Sequence, residues 1–294
     1  MTLKIAGTKT VYGVLETPYV FITLSMLAVI FLTCTIFSFF HTIETAYFYK
    51  ISGISIIYLI LMSILNDREG SFSLFLRAIT TVAVCWTIYF VMSKLPFDVV
   101  PYNSDTFLAR LDQLLGFGTA PVLWAEKFVN SMNLKFFSFV YAVFIPFMYY
   151  SIFISLLGRQ YNERKVFITA FVVTYAISFM GHLFLPARGP IVFYASDFSH
   201  ILSGGGYFHK LVVDSIDNAG GPHGAFPSLH VGVTWFVCYF DLKFNRIRGL
   251  LYLPLVVLII ISTVLLRYHY VIDLIAGVAI GTFSVSIATK LAKK

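Results

Sequence analysis

The chain has 294 residues, of which 59% are hydrophobic and only 12% charged, with a formal net charge of +7. So few charged side chains cannot coat the surface of one or two soluble domains, which excludes a soluble enzyme. The Lys and Arg behind the positive charge punctuate apolar segments instead of forming one basic face, which excludes nucleic acid as the partner and points to membrane topology.

A spanning helix needs about 20 apolar residues to cross roughly 30 Å of hydrocarbon. Eight segments answer to that in chain order, near residues 18–40, 51–65, 74–97, 136–157, 166–185, 227–240, 250–266 and 270–291. The fold class is therefore all-α, a polytopic membrane helix bundle. The first segment lies too far from the terminus, and lacks the cleavage site, to read as a signal peptide. Between the third and fourth, the stretch from Ser104 to Met132 mixes apolar and charged residues at helical spacing and is broken by Gly116, Gly118 and Pro121. That pattern predicts an interfacial or re-entrant helix pair. A loop of roughly 40 residues, Pro186 to Phe226, follows the fifth span, and loops that long are usually functional or disordered. Cys34, Cys85 and Cys238 all fall in apolar stretches, with no spacing that suggests a zinc knuckle or a disulfide framework.

Eight spans put both termini on one side. Thirteen Lys and Arg then flank that side, including Arg159, Arg164, Lys165, Arg246 and Arg248, against eight on the other. The positive-inside rule places the termini in the cytoplasm and the long loop in a periplasm, a lumen or the exterior.

Ionisable residues at membrane depth are costly, so each calls for a reason. Most of them fall in three short segments: LPARGP (Leu185–Pro190), GAFPSLH (Gly224–His230) and STVLLRYHYVID (Ser262–Asp273). All three sit at the non-cytoplasmic ends of the last four spans, so they can converge. His269 and Asp273 are four apart, a spacing that lets the carboxylate hold one ring nitrogen and leave the other more nucleophilic. The same pair also reads as a polar bundle closure or as zinc ligands. His230 follows a Pro-Ser step at the start of the sixth span, where free backbone N–H groups favour an anion. Ser228 there reads either as a phosphate donor or as a helix cap. Arg188 supplies a permanent cation of planar, bidentate geometry, and Gly189 allows close backbone approach.

Together the three segments resemble the type 2 phosphatidic acid phosphatase superfamily of membrane lipid phosphatases and phosphotransferases, whose motifs read K-x6-R-P, P-S-x-H and S-R-x5-H-x3-D. Pro227, Ser228 and His230 match the second motif, and Ser262, His269 and Asp273 the third. Arg188 corresponds to the first-motif arginine, with Gly189 inserted before Pro190. The resemblance implies that His269 attacks phosphorus, Asp273 orients it, and His230 protonates the leaving oxygen. Arg188, Ser228, Gly189 and Arg267 then form the phosphate-binding set. No metal or cofactor is implied. The resemblance also implies a six-helix catalytic core, with residues 1–70 forming two N-terminal transmembrane helices and 71–294 the catalytic membrane domain.

Two positions depart from the family. Gly181 stands where it has lysine and Thr263 where it has the third-motif arginine. Arg267, four residues after Thr263, reaches the same site if the helix continues; His182 and Lys210 are the groups available for the lysine's role. GAFPSLH, the Ser262-Thr263 pair and HYVIDLIAG resemble the inositol phosphorylceramide synthase branch, which implies head-group transfer from a phospholipid to a lipid alcohol. The alternative is a phosphatase that delivers the phosphoryl group to water, acting on phosphatidic acid, a lipid pyrophosphate or lipid A phosphate. Rival classes are a transporter with an intramembrane His/Asp relay and a zinc hydrolase using His230, His269 and Asp273.

Overall fold

The computed structural model describes residues 14–66 and 70–292, and these are all-helical. The elements are α1 (Pro18–Ser38), α2 (Thr45–Asn66), α3 (Ser71–Met92), α4 (Leu95–Val99), α5 (Asp105–Leu115), α6 (Pro121–Ala125), α7 (Ser131–Leu157), α8 (Tyr161–Phe184), α9 (Pro190–Phe193), α10 (Gly206–Asn218), α11 (Leu229–Phe244), α12 (Arg246–Leu265) and α13 (Val271–Leu291). Lys4, Lys9, Arg68, Lys293 and Lys294, part of the charge count above, lie outside the described residues.

Among the described residues seven helices are long and apolar enough to cross a membrane: α1, α2, α3, α7, α8, α12 and α13. The eighth expected span, α11, has 16 residues, about 24 Å at the usual helical rise. Its position in the middle of the bundle compensates for its length, since α11 packs against α13, α12 and α8. The centre is α8, 78% of whose most apolar window is buried, whereas α2 at 17% is peripheral. Phe167 and Phe171 of α8 meet Phe236 and Phe240 of α11 as tilted and edge-on rings within this core.

Small residues bring α11 and α13 together. A Cβ on Gly277 would lie 2.8 Å from the Ser228 carbonyl and 3.0 Å from the Gly232 nitrogen, and one on Gly281 would lie 2.8 Å from the Gly232 carbonyl. Gly277 and Gly281 are four apart on one face, the arrangement by which membrane helices reach backbone contact. This crossing brings the start of α11, with His230, to the start of α13, just after His269.

The stretch 104–132 does form a broken helix pair, α5 and α6, interrupted where Gly116, Gly118 and Pro121 stand. The 40-residue connection is not a plain loop. It contains α9 and the 13-residue α10, whose Leu211, Val212 and Ile216 line one face at helical spacing, with Val212 buried against α7.

Candidate active site

The α12–α13 turn carries the third motif. Helix α12 ends at Leu265 and α13 begins at Val271, so His269 and Asp273 do not share a continuous helix. They meet nonetheless: Asp273 Oδ2 accepts the Tyr270 N–H at 2.8 Å, capping α13, and lies 3.4 Å from His269 Nδ1. The shorter contact of that nitrogen is the Ala225 carbonyl oxygen, at 2.9 Å. A carbonyl only accepts, so Nδ1 carries the hydrogen and Nε2 keeps its lone pair. Burial lowers the His269 pKa to about 4, which leaves the ring neutral at pH 7.

His230, on the first turn of α11, lies with its ring centre 6.0 Å from that of His269, between the rings of Tyr141 and Phe144 at 4.8 and 4.4 Å. Both histidines and Arg188 line one cavity of about 480 Å³. His182 and His223 line it as well, and the rest of its lining is largely apolar, with Trp86 and Phe90 of α3 and Ile145 and Met148 of α7. Phe90 and Ile145 are exposed on the outer surface, so this wall reaches the lipid-facing side of the bundle.

The remaining residues expected to bind phosphate are not brought to the cavity. Ser228 is fully buried and its Oγ accepts the Val231 N–H, which makes it the cap of α11. Gly189, at φ +90°, packs under the Tyr268 carbonyl, and its N–H donates to Asp105 Oδ1. Helix α12 ends at Leu265 and Arg267 has φ +67°, so the helix does not continue to Arg267, which does not share a face with Thr263. Its guanidinium instead donates to Glu126 at 3.0 Å and to the His200 carbonyl at 2.9 Å, over the Phe198 ring. Position 181 has no room for the family's lysine, because even a Cβ would lie 2.1 Å from Pro227 Cδ. His182, one residue on, does line the cavity, whereas Lys210 does not.

Two carboxylates of α5 organise the site from behind. Asp105 accepts the backbone N–H groups of Arg188 and Gly189, each at 2.8 Å, and the Tyr270 hydroxyl at 3.0 Å, tying the Arg188 turn to the residue after His269. Asp112, seven residues later on the same face, accepts the Ile272 N–H at 3.1 Å, and burial raises its pKa to about 6. Sequence reasoning missed both. The signal was present, since two acids two helical turns apart on an otherwise apolar face share a direction. The Ala225 carbonyl had no signal, because every residue carries one. Among the described residues no three His, Cys, Asp or Glu side chains are grouped as metal ligands would be.

A family model described as the PAP2 superfamily matches residues 106–287. A PA-phosphatase related-family protein of Dictyostelium discoideum is 33% identical over 126 residues, 42% of this chain and 23% of that protein. The matched stretch thus spans about a quarter of that relative's length. No solved structure matches the chain. The chain belongs to the PAP2 superfamily.

Proposed function

We propose that this member of the PAP2 superfamily transfers a phosphate-linked head group from a glycerophospholipid diester to a lipid alcohol, in the manner of inositol phosphorylceramide synthases, and hydrolyses slowly when no alcohol is present. The observation that carries this reading is the charge of the cavity. Among the described residues Arg188 is the one permanent cation lining it, in the company of four histidines. A phosphomonoester carries close to two negative charges at neutral pH, whereas a diester carries about one, and a single guanidinium matches the diester.

In the first half-reaction Nε2 of His269 bonds to phosphorus as the bond from phosphorus to the diacylglycerol oxygen breaks, and His230 gives its proton to that oxygen. The electron pair is the one that the Ala225 hydrogen bond leaves on Nε2. In the second, the oxygen of the lipid alcohol bonds to phosphorus, the phosphorus–nitrogen bond breaks, and His230 takes the alcohol's proton. Arg188 holds the non-bridging oxygens, where charge develops. No metal takes part. The apolar wall at Trp86, Phe90, Ile145 and Met148 suits the acyl chains of donor and acceptor. The site faces away from the cytoplasm, a reading supported by Arg159, Arg164, Lys165, Arg246 and Arg248 at the opposite ends of the helices.

The test gives purified protein either phosphatidic acid, or phosphatidylinositol with ceramide or diacylglycerol, and follows inorganic phosphate and lipid products. The expected result is an acceptor-dependent product from the diester, abolished in His269→Ala and lowered by about two to four orders of magnitude in His230→Ala. Rapid phosphate release from phosphatidic acid, without such a product, makes the protein a lipid phosphatase instead.

A further inference from the structure

The segment from Gly221 to Pro227 presents three backbone carbonyls to three imidazoles. Ala225 takes Nδ1 of His269 at 2.9 Å, Pro227 takes Nε2 of His182 at 3.1 Å, and Gly221 takes Nδ1 of His223 at 2.6 Å. Each carbonyl can only accept, so each of these nitrogens carries the hydrogen and each neutral ring turns a lone pair the other way. For His269 that lone pair is the nucleophile. The chemistry proposed above does not use the other two.

Both rings line the cavity beside His230 and His269. His223 Nε2 is buried and has no hydrogen-bond partner, and burial pushes its pKa below the ordinary value, so the ring stays neutral at pH 7. The ring packs against Tyr89 with centres 5.8 Å apart, which holds its plane. His182 is adjacent: Gly224, at φ +62°, stands so close that an added Cβ would lie 3.0 Å from Nδ1 and Cε1 of its ring. A buried acceptor without a donor is destabilising, and a ligand that supplies the donor removes that cost. Phosphate oxygens are themselves acceptors and are repelled by these lone pairs, whereas a hydroxyl group fits them.

We infer that His182 and His223 form a subsite that accepts hydrogen bonds from a second, non-reacting hydroxyl group of the alcohol entering at phosphorus, and that this subsite selects a neutral hydroxylated lipid or polyol in place of a second phosphate. The inference rests on the transferase reading above and names what its acceptor side recognises. The motif-defined residues bind phosphorus, and the carbonyl-pinned pair next to them binds the alcohol.

The test uses the full-length protein, phosphatidylinositol as donor and N-octanoylsphingosine as acceptor, whose 1-hydroxyl gives its proton to His230 while its 3-hydroxyl is free to donate to the subsite, with the 3-O-methyl ether of the same ceramide as a competing ligand that cannot donate there. In the wild type the methyl ether should inhibit at least about tenfold more weakly than the free alcohol binds. In His223→Phe the apparent KM for the alcohol should rise about tenfold or more, and the gap between alcohol and ether should close. His223→Gln, which keeps an acceptor oxygen, should return the KM to within about threefold of wild type. An ether that competes as well as the alcohol binds in the wild type overturns the inference without any variant. Equal KM values in wild type and His223→Phe, or equal losses in the Phe and Gln variants, overturn it as well. Failure of the transferase reading is separate and appears first, as a wild-type protein that makes no acceptor-dependent product; the subsite then falls with it.

Discussion

The carbonyl oxygen of Ala225 sits 2.9 Å from Nδ1 of His269, closer than the Asp273 carboxylate at 3.4 Å. A backbone group thus sets the tautomer of the proposed nucleophile, and Asp273 acts as much on the Tyr270 N–H as on the imidazole. Because a carbonyl cannot be titrated, the lone pair on Nε2 depends on the protonation of His269 itself.

The pH dependence follows. The His269 pKa is lowered from 6.5 to about 4 by burial, so the ring is neutral and able to attack above that value and protonated only below it. The acid limb of kcat/KM for a short-chain diester should therefore fall through about pH 4, and the protein should keep most of its activity at pH 5.5. A limb centred near 6.5 would show a solvated histidine and contradict the burial seen here.

Asp105 holds two loops at once, so its loss should affect both fold and turnover. Asp105→Ala leaves the Arg188 and Gly189 N–H groups and the Tyr270 hydroxyl without their acceptor, at about 1–3 kcal/mol for each of the two buried donors, the Gly189 N–H and the Tyr270 hydroxyl. The expected outcome is a melting temperature several degrees lower in detergent and activity reduced by at least about tenfold. Tyr270→Phe removes one of the three bonds and should show the milder form of both effects.

Arg188 and Arg267 should separate cleanly. Arg188 lines the cavity, and Arg188→Gln should reduce turnover by about ten- to a hundredfold, consistent with losing one charged hydrogen bond worth roughly 1.5–3 kcal/mol, with little change in melting temperature. Arg267→Gln removes the ion pair with Glu126 and the stack on Phe198, so it should lower the melting temperature while the folded fraction keeps its KM. Thermal melts alongside steady-state kinetics check both.

Topology is tested by labelling. Ser203, exposed in the connection before α10, and Asn245, exposed between α11 and α12, lie on opposite sides of the proposed arrangement. The native cysteines are buried, so a cysteine introduced at either place reports alone. Ser203→Cys should react with a membrane-impermeant thiol reagent in intact cells and Asn245→Cys should not. The reverse pattern inverts the orientation.

Composition and spacing alone determined that the chain is a membrane helix bundle and which three segments converge, because length, apolarity and the order of motifs are properties of the chain that no packing can change. The broken pair at 104–132 was legible for the same reason, through Gly116, Gly118 and Pro121. What the sequence could not decide is where a side chain points once a helix ends. Arg267 shares a face with Thr263 only if α12 continues, and a left-handed residue at 267 turns it toward Glu126 instead. Ser228 had two readings, phosphate donor and helix cap, and the Val231 N–H makes it the cap that a serine at a helix start favours. The carbonyls of Gly221, Ala225 and Pro227 are chemically identical to every other carbonyl in the chain. They acquire a role only because Gly277 and Gly281 let α13 approach α11 to backbone contact, and Gly181 lets α8 approach Pro227, which places three imidazoles around one short segment.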